Sequence, residues 1–428
     1  MGSWVLYDFA NTVFSVSILS FFFPLWLGDE LGAGAGLFNY LTAASMLLVA
    51  LSAPILGAVA DRRQRRRAYM VAFTLPAVAL TAGMDLAGSV LAGAVLFVAA
   101  NLAYQSALTF YNALLPGVSG GRGAGRVSGY GVAAGYAGTI LALVVLNRFV
   151  TDPGGMKTLL GPLGGWISTE GVVNSNAFLP TAVLYLLFAL PAFFFVPDPK
   201  VRPPSPVNAR TAYRDVVSTL RDARRHAGLG AFVISTVLYT NAANTVVANM
   251  ALYGREVFGM AQTDIRNLLL FSTVFAAIGA VLFGFLTDRL GPKRSLVLVL
   301  LVWLAAISLA AAAPAPGVLL VAGPFIGVAL GSTWVVSRVM MVALSPPEKV
   351  GEFFGFYGLA GKASAIFGPA ITGLLLTVFA GLGSGAFRVA VLAQAVLVLA
   401  ALLILQRVPD ARPEKVVEEF SKQPAGRA

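Results

Sequence analysis

Twelve stretches of mostly apolar residues, each about twenty residues or longer, divide this chain. They run roughly over 4–27, 37–60, 68–86, 89–115, 127–147, 176–196, 228–254, 262–287, 294–313, 316–343, 352–380 and 386–406. A bilayer core offers the backbone no water, so such a stretch crosses it only with its N–H and C=O groups bonded internally, as a helix. The expected fold is therefore an all-α integral membrane protein with twelve transmembrane helices. Charged residues make up 11% of the chain, against about 25% in a soluble domain. The spans consume nearly all of the 428 residues and leave no room for a soluble domain. The chain has no Cys and one His, His226, in a loop. That removes thiolate chemistry and His/Cys metal sites, and no cofactor is expected. Met1-Gly2-Ser3 leads straight into the first span with no basic segment, so no cleavable signal peptide is expected.

The net charge of +11 invites a nucleic-acid reading, and the positions of the charges argue against it. With the N-terminus in the cytoplasm, 23 of the 30 Lys and Arg fall on cytoplasmic connections or the tail. That is the positive-inside pattern of a membrane protein with both termini in the cytoplasm. The basic balance thus reports orientation in a lipid bilayer, and no nucleic-acid partner is expected.

The expected organisation is a first six-helix half, residues 1–196, a cytoplasmic linker, 197–227, a second six-helix half, 228–407, and a disordered tail, 408–428. In the linker, Tyr213, Val216, Val217 and Leu220 recur at helical spacing among Arg210, Arg214, Arg221, Arg224 and Arg225. This pattern fits an interfacial amphipathic helix, with a solvated linker as the alternative.

Polar residues inside the spans are where function concentrates. Asp8, Asn11, Thr12 and Ser15 stand at i, i+3, i+4 and i+7, one stripe down one face of the first helix. The stretch returns as Leu238-Tyr239-Thr240-Asn241-Ala242-Ala243-Asn244-Thr245, with one residue inserted. Gly57 to Arg62 after the second span recurs as Gly284 to Arg289 after the eighth, and Gly129 and Gly135 recur as Gly355 and Gly361. Three pairs in the same order at similar offsets mean a six-plus-six duplication with two pseudo-symmetric halves.

The loops Gly57-Ala-Val-Ala-Asp61-Arg62 and Gly284-Phe-Leu-Thr-Asp288-Arg289, the latter followed by Gly291, Lys293 and Arg294, resemble the signature of the major facilitator superfamily. The first copy departs from it with Gln64 where Gly is usual. Parallel six-helix halves around a midplane site are the arrangement described for those transporters. Trp4-Val-Leu-Tyr7-Asp8-Phe9-Ala10-Asn11 and the run Glu352 to Ser364 are similar to the vacuole-effluxer-like branch, relatives of the autophagy-related amino-acid effluxer. The resemblance implies the major facilitator fold. It further implies a latch in which the loop Asp pairs with Arg and a facing helix end. Gly57, Asp61, Arg62, Gly284, Asp288 and Arg289 are its candidate gating residues, the glycines permitting close helix approach. The plain alternative is a set of interfacial charges that fix topology.

Lys362 falls near the middle of its span, where a buried Lys needs an acceptor. Pairing with Asp8 would supply one, and bonds to backbone carbonyls or snorkelling would too. Arg338 either binds a carboxylate or anchors an inner helix end. Glu352 suits a gate or a first-turn charge on the helix dipole. Asn101, Gln105 and Asn112 share a face in span four with Tyr104 adjacent, and Asn241, Asn244 and Asn249 do so in span seven. Interhelical hydrogen bonding is the competing explanation for these amides. Tyr136 and Trp334 are candidate cavity residues, with packing as the alternative.

The candidate substrate-binding set is therefore Asp8, Asn11, Ser15, Asn101, Tyr104, Gln105, Tyr136, Asn241, Asn244, Trp334, Arg338 and Lys362. The expected function is secondary transport of a small organic solute by rocker-switch alternating access, with no enzyme activity. The mixed site suits a zwitterion, and the resemblance points to amino-acid efflux. Export of drugs or lipid-like amphiphiles is one alternative, and a transport-inactive receptor or scaffold is another. A proton is the candidate coupling ion, and a monomer in a prokaryotic plasma membrane is the expected state.

Overall fold

The computed structural model describes residues 1–32, 37–120, 123–170, 173–198, 214 and 228–412, without the side chains of Gln262, Arg266, Lys362, Ala363 and residues 365–370. The expected linker helix and the tail beyond residue 412 lie outside the described residues.

Every regular element among the described residues is helical. Eleven helices are long and apolar enough to span a membrane: α1 Gly2–Glu30, α2 Leu37–Arg63, α3 Arg66–Leu86, α4 Val90–Ala113, α5 Ala124–Thr151, α6 Asn174–Phe195, α7 Leu229–Phe258, α8 Thr263–Leu290, α9 Pro292–Ala312, α10 Pro316–Leu344 and α12 Ser384–Leu405. Between the last two lies α11, Val350–Val378, of 29 residues. Its length completes the twelve helices expected from the sequence.

The helix ends follow local chemistry. Pro292 and Pro316 sit in the first turns of α9 and α10, where a missing N–H costs nothing. Gly259 ends α7 in the left-handed region, and the bonds Gly259 N–H to Arg255 O and Met260 N–H to Gly254 O close its last turn. Pro54, Pro76, Pro191 and Pro324 lie inside helices. Such interruptions are tolerated in membrane helices because neighbouring groups satisfy the freed carbonyls. α1 changes from α-helical to π-helical winding at Ser15 and again at Trp26, a local widening often found at functional sites.

By contact, the chain forms two compact units. The first gathers Met1–Ser52, Arg65–Leu114 and Ala134–Asp198, and the second gathers Ala53–Gln64, Leu115–Ala133 and Pro199–Ala428. In the first, α1 packs along α6, and α3 packs along α4 and α6. In the second, α7 packs along α12, and α9 along α10 and α12. These are the same pairings shifted by six helices, the packing counterpart of the sequence repeat. α8 also packs along α10, where the Cβ of a residue replacing Gly331 would meet Ala276 O at 1.9 Å. At the start of α3 in the first unit, Arg67 N–H donates to Asp198 Oδ2 at 3.2 Å and its guanidinium to Val196 O at 3.0 Å. Burial pushes the Asp198 carboxyl above the usual carboxylate range, against the opposing pull of Arg66.

Candidate functional site

In the first unit, the start of α1 carries two kinds of side chain. Trp4 and Tyr7 are fully buried anchors. The Trp4 indole donates to Tyr111 O at 3.1 Å and stacks on the Tyr111 ring at 4.3 Å, and Tyr7 hydrogen-bonds Thr74 on α3. Asp8 and Asn11 are also buried, at 7% and 2% exposure. Tyr185 on α6 donates to Asn11 Oδ1 at 3.3 Å, and Asn11 Nδ2 has no partner among the described residues. Tyr104 on α4 stacks on Phe14 at 4.5 Å and lies 6.4 Å from the Tyr185 ring, and both Tyr104 and Tyr136 on α5 lie within electrostatic range of Asp8. α5 reaches this face through glycine. A Cβ at Gly135 would stand 2.7 Å from Thr12 Oγ1, and one at Gly138 would stand 2.7 Å from Phe9 O. The fold therefore brings Asp8, Asn11, Tyr104 and Tyr136 to one region, and Ser15 is half-buried where the winding of α1 changes. Asn101 is placed otherwise: its Nδ2 donates to Ser45 Oγ at 2.7 Å, linking α4 to α2. Gln105 is half-buried one turn further along α4.

The second unit builds its own cluster on α7. Asn241 Nδ2 donates to Ser364 O on α11 at 3.2 Å, while its Oδ1 has no partner among the described residues. Tyr239 Oη bonds Ser337 Oγ on α10 at 2.7 Å and Thr236 Oγ1 at 3.0 Å. Arg338 is buried next in sequence to Ser337. Asn244 and Trp334 are half-buried. Lys362 belongs to α11, but its side chain, and with it the Asp8–Lys362 pairing, lies outside the described residues.

The two signature loops make matched contacts within the second unit. Asp61 accepts from the N–H of Gly351 at 3.1 Å and of Glu352 at 3.0 Å, the second and third residues of α11. Asp288 accepts from the N–H of Gly125 at 2.8 Å and of Arg126 at 3.2 Å, the second and third residues of α5. Helix N-termini leave these donors unsatisfied and favour negative charge, so each carboxylate caps a helix from another part of the chain. Arg126 Nε adds an ion pair to Asp288 at 2.9 Å. Close approach depends on glycine: a Cβ at Gly57 would lie 2.3 Å from Gly351 O, and one at Gly284 would lie 2.8 Å from Gly125 O. Arg62 is half-buried and Arg289 exposed. Glu352 is buried beside the Asp61 contact.

The structure adds Tyr185, Ser337, Gly125, Arg126 and Gly351 to the residues read from the sequence, and gives Tyr239 of the repeated stretch its partners. A signal for three of them was present. Gly125 and Gly351 are 226 residues apart, the offset of the other span-five and span-eleven glycines, and Arg126 follows at the position matching Glu352. Tyr185 and Ser337 left no comparable trace.

A twelve-helix chain with these paired clusters and capped loops is a major facilitator superfamily transporter. The solved outward conformation of the transporter FucP aligns at a TM-score of 0.71 and 15% identity, covering 95% of this chain and 98% of that one. The chain belongs to the vacuole effluxer Atg22 like family, whose model matches residues 33–124 and 121–416. An uncharacterized MFS-type transporter of Bacillus subtilis, YxiO, is 24% identical over 99% of this chain and 98% of its own. The multidrug resistance protein MdtG of Salmonella typhimurium is 25% identical over 46% of this chain and 48% of its own.

Proposed function

We propose that this transporter moves a small zwitterionic solute, an amino acid or a close relative, outward across a prokaryotic plasma membrane, as a monomer with both termini in the cytoplasm. The observation that carries the reading is the cluster at Asp8. The buried Asp8 of a membrane helix lies within electrostatic range of Tyr104 and Tyr136, one turn from an Asn11 amide nitrogen that lacks a partner among the described residues. Such a site offers a charge for an ammonium group and neutral donors for the rest of a solute. Within the second unit, Asn241 offers an acceptor, its Oδ1 having no partner among the described residues, and Arg338 offers a cation. Asn244, Trp334 and Lys362 are further candidates in the second unit, and in the first unit Asp8 is the residue through which a proton would couple. The capped loops at Asp61 and Asp288 hold one conformation of the alternating-access cycle, and Glu352 gates beside them. The amino-acid assignment also draws on the effluxer family to which the chain belongs.

The test is thermal stabilisation of the purified protein by a panel of amino acids, dipeptides, nucleosides and amphiphiles, with Asp8→Asn and Lys362→Ala in parallel. A ligand that binds only the folded state raises Tm by mass action. Stabilisation by amino acids, lost in Asp8→Asn, supports the reading. Stabilisation by amphiphiles alone replaces it with drug or lipid export, a second reading that the likeness to MdtG favours.

A further inference from the structure

We infer that the cleft between the start of α9 and the end of α12 binds the phosphate head of an anionic phospholipid, whose acyl chains lie on the exposed faces of the two helices. The cleft has a volume of about 420 Å³ and is open on one side, within the roughly 300–1,000 Å³ of small-molecule sites. Lys293, Arg294, Gln406 and Asp410 form its polar part, and Val297 and Leu298 continue it along α9. Two cations thus face one carboxylate.

The internal repeat shows what such a place holds. At the offset of the signature loops, Arg66 and Arg67 correspond to Lys293 and Arg294, and Val-Pro-Asp follows both α6 and α12, as Val196-Pro197-Asp198 and Val408-Pro409-Asp410. In the first unit the acid is seated. Asp198 Oδ2 accepts from the N–H of Arg67 at 3.2 Å, within electrostatic range of both arginine side chains. The Arg67 guanidinium donates to Phe194 O at 3.3 Å and Val196 O at 3.0 Å. In the second unit Lys293 Nζ makes the matching bond, to Gln406 O at 3.1 Å. The acid does not follow. Asp410 instead meets the Arg294 guanidinium, Nε to Oδ2 at 3.5 Å, with the two side chains 68% and 44% exposed. The second copy keeps the cationic wall of the first and not its seated carboxylate, so an anion from outside the chain completes it.

Position and chemistry name that anion. The cleft lies at the ends of two packed membrane spans, at the depth of lipid headgroups. Leu298 and Leu301 on α9 and Leu399 and Leu403 on α12 are exposed along the spans that lead from it, and in a membrane such side chains meet acyl chains. Arg binds phosphate through two N–H groups at once, and Lys293 spends one of its three donors on Gln406. Basic pockets between membrane helices hold lipid phosphates in this way. A soluble anion needs no such apolar floor, and cations that only set orientation need no cleft. On the orientation proposed above, the lipid belongs to the inner leaflet. The site does not depend on which solute is carried, because none of its residues belongs to the clusters around Asp8 or Asn241.

The experiment exploits the absence of Cys from the chain. Leu298→Cys in the full chain carries a bimane fluorophore, and the protein is reconstituted in phosphatidylcholine vesicles doped with brominated phosphatidylglycerol or, in parallel, brominated phosphatidylcholine. Quenching by bromine reports which lipid sits beside the label. Phe194→Cys, at the exposed counterpart of Gln406 in the first unit, is the control. The expected result is a preference for phosphatidylglycerol of about tenfold or more at residue 298 and no more than about twofold at residue 194. Lys293→Gln with Arg294→Gln should bring residue 298 down to the control value. Should that pair not fold, Asp410→Asn removes the competing acid and should raise the preference about threefold. Equal preference at the two reporters, the result of interfacial charge alone, would overturn the inference. So would a preference unchanged in either variant, or one abolished by excess inorganic phosphate at fixed ionic strength, which would assign the cleft to a free anion. A preference that emerges only when the chain is cut after Arg412 would assign the cleft to the tail carrying Glu414, Glu418 and Glu419, and would overturn it too.

Discussion

The two capped loops arose from one duplicated sequence and differ in how they are held. Both present an Asp to the second and third N–H groups of a helix, α11 for Asp61 and α5 for Asp288. The Asp61 contact is sealed: Asp61 and Glu352 are each 2% exposed. The Asp288 contact is open at its edge, where the Arg126 side chain is 48% exposed and Asp288 16%. At the matching helix position, one copy carries an acid and the other a base. Hydrogen bonds to a charged group gain strength as water is excluded, while a partly exposed ion pair is screened. The comparison teaches that geometry was conserved across the duplication while the strength of the two contacts was free to diverge. The Asp61 contact should be the firmer one.

Because the chain has no Cys, a single Ser128→Cys gives a clean reporter. Ser128 is fully buried on α5 and bonds Val335 O on α10 at 3.4 Å, so its alkylation rate reads the opening of this region. The largest effect is expected from Gly57→Val. The new Cβ meets a backbone oxygen at 2.3 Å that cannot turn aside, and alkylation should rise by about two orders of magnitude, a shift of roughly 3 kcal/mol. Asp61→Asn comes next. An amide retains one acceptor and loses the charge, and charge-assisted hydrogen bonds contribute about 1.5–3 kcal/mol, so a rise of roughly thirtyfold is expected. Asp288→Asn should give no more than about a fivefold rise, near 1 kcal/mol, because water reaches its contact. Equal effects of the two Asn variants would break the comparison. Arg126→Ala removes only the exposed ion pair and should change the rate by about 0.5 kcal/mol or less, shrinking further in high salt.

The smallest effect concerns Gln64. It adopts φ +53°, and its counterpart in the second loop is Gly291 at φ +87°. Glycine enters this region freely, whereas a side chain pays about 1 kcal/mol. Gln64 offsets part of this through a side-chain bond to Asp61 O. Gln64→Gly should therefore leave Tm within a few degrees of the parent, measured in the same detergent. A loss of ten degrees would show that the side-chain bond dominates.

Much of this was legible in the sequence. Apolar length set the helices because the bilayer leaves no other backbone solution, and the limits of α2, α4 and α10 fell within a few residues of expectation. The departure at Gln64 was visible as a missing glycine, and its left-handed backbone explains why glycine is usual there. Asp8 and Asn11 stood out as polar residues at helical spacing. Their partner Tyr185 did not, because it comes from a helix more than 170 residues away and looks like any aromatic in a span. The capping donors of Asp61 are backbone N–H groups, which no residue type announces.

The central claim is that this chain exchanges a small solute through a path that uses Asp8. The most direct measurement is counterflow in proteoliposomes, with the solute that stabilises the purified protein supplied inside and a labelled trace outside. The account predicts accumulation by the parent protein, at least a tenfold slower rate for Asp8→Asn, and an altered rate with intact binding for Asp61→Asn. Folded parent protein that binds the solute and gives no counterflow, or Asp8→Asn running at the parent rate, would contradict it.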